Sequence, residues 1–353
     1  MRCRITLRES NLHHSNAQYV SPSTDTPGMT LRTRIYSIWL CLLLPLSAAA
    51  GWHHEEAPIM GTLITVELWH ADAAQAQTLI NAVMDEMHRI DELMSTYKPD
   101  SELARVNARA AQQPVTVSRE LLGLVINALA FSEVTGGAFD ITYASAGKYY
   151  DYRKGIKPTA AQLAQALPAI DYRHVIVDSA NRTIAFSQPG VRIDLGGIAK
   201  GYAVDRSIAI LRKAGIENAL VSAGGDTRVI GERWGRAWKV GIRDPRKPDG
   251  VVTMIPLKDL AISTSGDYER YFEEDGVRYH HILNPGTGKS THEVHSASII
   301  GNNATTTDAL STSIFVMGVE KGLRLIESLP DTEAVIIDSQ GHMHYSSGLD
   351  QVH

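Results

Sequence analysis

Hydrophobic and polar residues alternate through residues 61–70, GTLITVELWH, with the period of a half-buried strand. The period then changes, and Ile80, Val83, Met84, Met87, Ile90 and Leu93 recur at helical spacing. A second helix is predicted from Ser118, an N-cap with Glu120 and Leu121 behind it, to about Thr135, where Gly136 and Gly137 stop it. Residues 174–187 read as a hairpin, and VRIDLGG (191–197) as a strand leading into a helix over 198–215. Strand patterns follow at ALVSAGG (219–225), WKVGIRD (238–244), AISTSGDYERYF (261–272), VRYHHILNP (277–285) and HSASIIG (295–301). A last helix from about Thr306 and a hairpin over 333–347 close the pattern. The many hairpins argue against a doubly wound parallel sheet and for an α+β fold.

Residues 1–50 do not share this pattern. Residues 1–28 are polar and irregular, and are read as an upstream extension. From Met29, two arginines precede an apolar run that ends in small residues near Ala48–Ala50, the layout of a secretory signal peptide over 29–50. The run is shorter than the roughly 20 residues of a spanning helix. Export to the periplasm is the expectation, with residues 51–353 as one domain. Both cysteines, Cys3 and Cys41, lie within residues 1–50, so the rest of the chain has no disulfide, thiolate metal site or cysteine nucleophile. Cys41 follows Trp39–Leu40 without the small residue that precedes a lipidated cysteine, which disfavours a lipoprotein. Beyond residue 50 the chain carries 29 Lys/Arg against 37 Asp/Glu, a formal charge of −8, with no basic run. That balance excludes a general nucleic-acid binder.

Glycine pairs mark the joints at Gly136–Gly137, Gly196–Gly197 and Gly224–Gly225, with Gly286 and Gly288 as a fourth. Within three residues of each stands an ionisable group: Asp140, Lys200, Asp226 or Lys289. Such loops let backbone amides approach phosphate, although none fits the dinucleotide or Walker patterns. Asp308 and Thr312, four apart on the last helix, offer a carboxylate and a hydroxyl on one face, hard ligands suited to Mg2+. The alternative is structural: Thr306 or Thr307 caps the helix, Asp308 favours its positive end, and Thr312 bonds a carbonyl. Of the neighbours His280 and His281, strand alternation allows only one to face a cleft.

Eight blocks in order carry a specific resemblance: MGT (60–62), STYKPDSEL (95–103), GGAFDIT (136–142), IDLGGIAKGYAVD (193–205), VSAGGD (221–226), STSGDYERYF (263–272), HILNPGTGK (281–289) and ATTTDALSTSIFVMG (304–318). Over about residues 58–345 the chain resembles the ApbE family of FAD:protein FMN transferases. The resemblance implies a T-fold-like α+β architecture with FAD in a cleft. It also implies Mg2+-dependent splitting of FAD, attachment of FMN to a threonine or serine of a partner protein, and release of AMP. It places the metal on Asp308, Thr312, the carbonyl of Ala304 and a backbone oxygen of Gly197. It places FAD against Met60, Tyr97, Ala138, Phe139, Asp140, Asp194, Lys200 and Ile282, with His281 and Asp308 catalytic. Histidine titrates near neutrality and can take the proton of an attacking hydroxyl. The hydroxyl-rich start of the last helix is expected to hold the metal and to turn its N-terminus toward phosphate. Implied acceptors are Rnf-, Nqr- or NosR-type redox subunits, with peripheral association at the inner membrane. Two other readings use the same residues: a metal-dependent FAD pyrophosphatase and a non-catalytic flavin-binding protein.

Overall fold

The computed structural model describes residues 51–247 and 249–350, together with a two-residue strand at Ile5–Thr6. The predicted leader, 29–50, lies outside the described residues, as do both cysteines and the rest of 1–28. The centre is an eight-stranded sheet. Its strands are β1 (Gly51–Ile59), β2 (Thr62–His70), β3 (Ala219–Ala223), β4 (Asp226–Ile230), β5 (Ala261–Gly266), β8 (Val294–Gly301), β9 (Glu333–Asp338) and β10 (Met343–Tyr345). Their order is β10-β9-β8-β5-β4-β3-β2-β1, and every pairing is antiparallel. Strands β6 (Tyr271–Glu274) and β7 (Val277–His280) form a separate hairpin between β5 and β8 in the chain. The architecture is α+β, as the hairpin pattern implies.

Helices α1 (Ala73–Met94), α3 (Ala199–Lys213) and α4 (Ala304–Met317) lie side by side on one face of the sheet. The helical stripe of α1 is buried there, Ile80, Val83, Met87 and Ile90 all being in the core. Helix α2 (Arg119–Val134) begins where predicted: the Ser118 hydroxyl accepts the Leu121 N–H, and Gly136 and Gly137 follow with positive φ. Helix α5 (Val319–Ser328) continues from α4 and packs on β9. The other face is closed by a ribbon of Trp238–Arg243 and Val251–Leu257, whose Trp238, Ile242, Ile255 and Leu257 meet Val229, Ile262 and Ile300. With both faces covered, β8 is buried along nearly its whole length.

Two expectations change. Residues 191–195 join no sheet, and 196–198 form the turn that enters α3. The Asn107 amide replaces a strand partner, accepting from Ile193 N–H at 2.8 Å and donating to Ile193 C=O at 2.8 Å. Helix α4 is capped by Asn303, whose side chain accepts from Thr306 N–H, and not by Thr306 or Thr307. Among the described residues no helix is long and apolar enough to cross a membrane.

Candidate functional site

Helix α3 approaches α4 at Gly201. A Cβ there would stand 2.1 Å from the Ala304 carbonyl oxygen and 2.7 Å from the Asp308 Cβ, so only glycine permits the contact. The close approach lets Gly201 N–H donate to Asp308 Oδ2 at 2.9 Å. One residue earlier, Lys200 Nζ reaches Asp226 Oδ2 at 2.8 Å and lies 3.7 Å from Asp308 Oδ1. Two carboxylates, each about 2 % exposed, therefore share one ammonium.

The electrostatics follow from that count. Burial and the Asp226 charge push the Asp308 carboxyl up to about 7, with Lys200 opposing them. Burial works against the Lys200 charge, but Asp226 and Asp308 outweigh it and hold the ammonium above the usual lysine range. One negative charge remains without a full counter-charge, and a cation at Asp308 would supply it. The Thr312 hydroxyl stands one turn along α4, 3.3 Å from Ser265 Oγ and 3.1 Å from where a Cβ on Gly197 would lie. Asp308, Thr312, Ala304 and Gly197 thus all lie where α3 and the turn before it meet α4. Their oxygens and the unbalanced charge fit a hard divalent cation. Among the described residues no group of three or more His, Cys, Asp or Glu is arranged as a metal site, so most of a cation's shell would come from these neutral oxygens, water or phosphate.

Four of the other hydroxyls of α4 have structural partners, Thr305 donating to Asp205. Thr307 pairs with Ser263 and Ser311 with Ser265, each at 2.8 Å, while Ser313 bonds back to Ala309 C=O. These bonds let a polar-studded helix seal against β5. The expected phosphate-facing N-terminus of α4 is overturned. Asp205 accepts from Ala304 N–H and Thr305 N–H at 2.9 and 2.8 Å and is itself held by Arg228. With Asn303 bound to Thr306 N–H, those amides are already satisfied.

The paired histidines separate as alternation requires. His280 is 1 % exposed; its Nε2 bonds Thr291 C=O at 2.6 Å and its ring meets Phe315 edge-on at 5.5 Å. His281 is half-buried, its N–H held by Arg270 C=O at 3.1 Å. Its Nδ1 is enclosed without a partner, so a proton can come and go only through Nε2. Burial, with the charges of Arg270, His280 and Lys200, lowers the His281 imidazole to about 3. It is neutral at working pH, with a lone pair free.

Burial also lowers His280, to about 4. The unfolded chain takes up a proton below about pH 6.5 that folded His280 refuses. This contribution to stability is therefore complete above 6.5 and lost as pH falls toward 4, at most about 3 kcal/mol. Urea unfolding at pH 7.5 and 4.5 is expected to show a smaller acid loss in His280→Gln than in wild type, despite lower stability of the variant at pH 7.5.

The residues assigned to FAD by resemblance divide into two groups. Tyr97 is 83 % exposed, whereas Met60, with φ of 54° at the tip of the β1–β2 turn, is half-buried against the main core. Ala138 is half-buried directly after the glycine pair Gly136–Gly137. Asp194 accepts from Gly196 N–H at 2.7 Å and from the Thr96 hydroxyl at 2.8 Å, tying the loop that carries Tyr97 to the glycine turn before α3. Three further residues have side chains that are buried or already hydrogen-bonded. Asp140 is buried and spends its oxygens on Thr142 N–H, the Thr142 hydroxyl and Tyr172 N–H, the capping alternative. Phe139 lies in the core, edge-on to Phe131 at 6.1 Å. Ile282 is a core residue whose N–H goes to His280 Nδ1 and whose C=O takes Thr291 N–H. Sequence reasoning missed Asp226 and Arg270 as site residues; the glycine pair before Asp226 was its only signal, and Arg270 had none of its own.

The sequence pattern of the ApbE family matches residues 60–336. A FAD:protein FMN transferase of Treponema pallidum (strain Nichols) is 35% identical over 313 residues, covering 82% of this chain and 86% of that protein. One from Vibrio cholerae is 33% identical over 327 residues, covering 88% and 96%. Among solved structures, the ApbE protein of Thermotoga maritima superimposes with a TM-score of 0.78 at 37% identity, over 84% of this chain and 97% of that one. The flavin transferase ApbE of Vibrio cholerae gives 0.76 at 31% identity, over 85% and 98%.

Proposed function

The chain belongs to the ApbE family, and we propose that it is a transferase that moves FMN from FAD onto a threonine or serine hydroxyl of a partner protein, releasing AMP with a divalent cation such as Mg2+. The observation that carries this reading is the meeting of Asp308, Lys200 and Asp226 beside a neutral, unprotonated His281. The acceptor hydroxyl attacks the FMN-side phosphorus. The new P–O bond forms to the acceptor, the P–O bond to adenylate breaks, and the hydroxyl proton passes to His281 Nε2. A cation held by Asp308, Thr312 and the Ala304 and Gly197 carbonyls would polarise the diphosphate and offset charge on the leaving adenylate. Lys200 is engaged by two carboxylates and so serves to hold Asp226 and Asp308 in register, a different role from direct contact with FAD.

Tyr97, exposed at the rim, offers a ring face for stacking, and Met60 a polarisable cover. The acceptor is read as a subunit of the Rnf, Nqr or NosR type, met in the periplasm after export, with the enzyme peripheral to the inner membrane. Incubation with FAD, Mg2+ and a candidate acceptor should give a covalent FMN adduct by mass spectrometry, with AMP in equal amount. Rapid release of free FMN without acceptor would make the protein a pyrophosphatase. Retention of intact FAD would make it a carrier.

A further inference from the structure

Arg270 sits between β5 and β6, exposed, with no ion pair or side-chain hydrogen bond among the described residues. Its backbone is pinned, because its carbonyl holds His281 N–H at 3.1 Å and the next residue, Tyr271, pairs with His280. Its guanidinium reaches across to the β1–β2 turn, where a Cβ on Gly61 would lie 3.1 Å from Nη2. It also stands close enough to Lys200, His281 and Tyr143 for its charge to bear on all three.

The neighbouring cations are already engaged. Lys200 is bound between Asp226 and Asp308, and Arg246 and Arg278 both go to Asp267. His281 is neutral. Arg270 is therefore a cation beside His281 whose planar donors are open, and such a fork suits phosphate oxygens two at a time. Gly61 leaves the room it needs.

We propose that Arg270 binds the diphosphate of FAD and selects the dinucleotide over flavins without it, a reading that rests on FAD being the substrate. By gripping the diphosphate from a residue whose own carbonyl anchors His281, it sets the distance between the anion and the base. The proposal can be tested by titrating wild type, Arg270→Lys and Arg270→Met with FAD, ADP and riboflavin at fixed Mg2+. Arg270→Met should weaken FAD and ADP binding by roughly 10- to 100-fold and leave riboflavin unchanged, with Arg270→Lys between. Equal loss for FAD and riboflavin, or no loss for FAD and ADP, would overturn it. A wild-type protein that binds ADP but not FAD would sink the flavin-transfer reading, and the ADP arm would still decide Arg270.

Discussion

Asp308→Asn is expected to lower flavin transfer by roughly 1,000-fold, several kcal/mol of barrier, and to abolish the rise in melting temperature on adding Mg2+. Asparagine keeps the shape and can still accept from Gly201 N–H, so the α3–α4 contact survives. What disappears is the buried charge. In the metal-free protein that charge is unwelcome, since burial and Asp226 push the carboxyl up to about 7. The variant should therefore unfold no more easily than wild type without Mg2+, and more easily with it. Calorimetric melts with and without the cation, beside AMP release, separate a lost metal site from a damaged fold. Undiminished transfer would mean that the cation binds elsewhere.

His281→Ala should reduce kcat by about 100- to 10,000-fold while changing FAD affinity little. The pH profile gives a sharper check. The free-enzyme imidazole titrates near 3, so kcat/KM should show no loss attributable to His281 between pH 8 and 5. An ordinary histidine base would produce a fall below about 6.5, because protonation removes the lone pair. Bound diphosphate places negative charge near Nε2, favours the protonated ring and raises its pKa, so the acid limb of kcat should lie above that of kcat/KM. A limb near 6.5 in kcat/KM that vanishes with His281 would show the ring to be more solvated than its enclosed Nδ1 implies. Equal losses in kcat and FAD affinity would reassign His281 to binding.

Much of the site was legible before any coordinates. Alternation alone required His280 and His281 to part, and a four-residue interval placed Asp308 and Thr312 on one face of α4. Three of the residues assigned to FAD have side chains that the fold buries or already bonds. Asp140, Phe139 and Ile282 belong to recognisable blocks, but a block does not reveal whether a side chain points into the cleft or away from it. Asp140 is held by Thr142 and Tyr172, and the Phe139 ring meets Phe131 edge-on while its Cε2 lies 3.2 Å from where a Cβ on Gly197 would stand. The hydroxyls of α4 were read as oxygen for a ligand. Four residues of β5 and β8, Ser263, Thr264, Ser265 and Ser298, supply a matching row of hydroxyls that hold strand to helix and strand to strand.

By itself, the order of residues determined the alternating elements, the α+β class, the family and the pair one turn apart on α4. These depend on local periodicity and on blocks read along the chain. Only the tertiary structure decided that Lys200, Asp226 and Asp308, spread over more than a hundred residues, share one charge balance, and that Arg270 stands open beside His281. Those facts arise from how closely two helices approach at Gly201 and from the bond between Arg270 C=O and His281 N–H across the base of the β6–β7 hairpin, distances that no local pattern encodes.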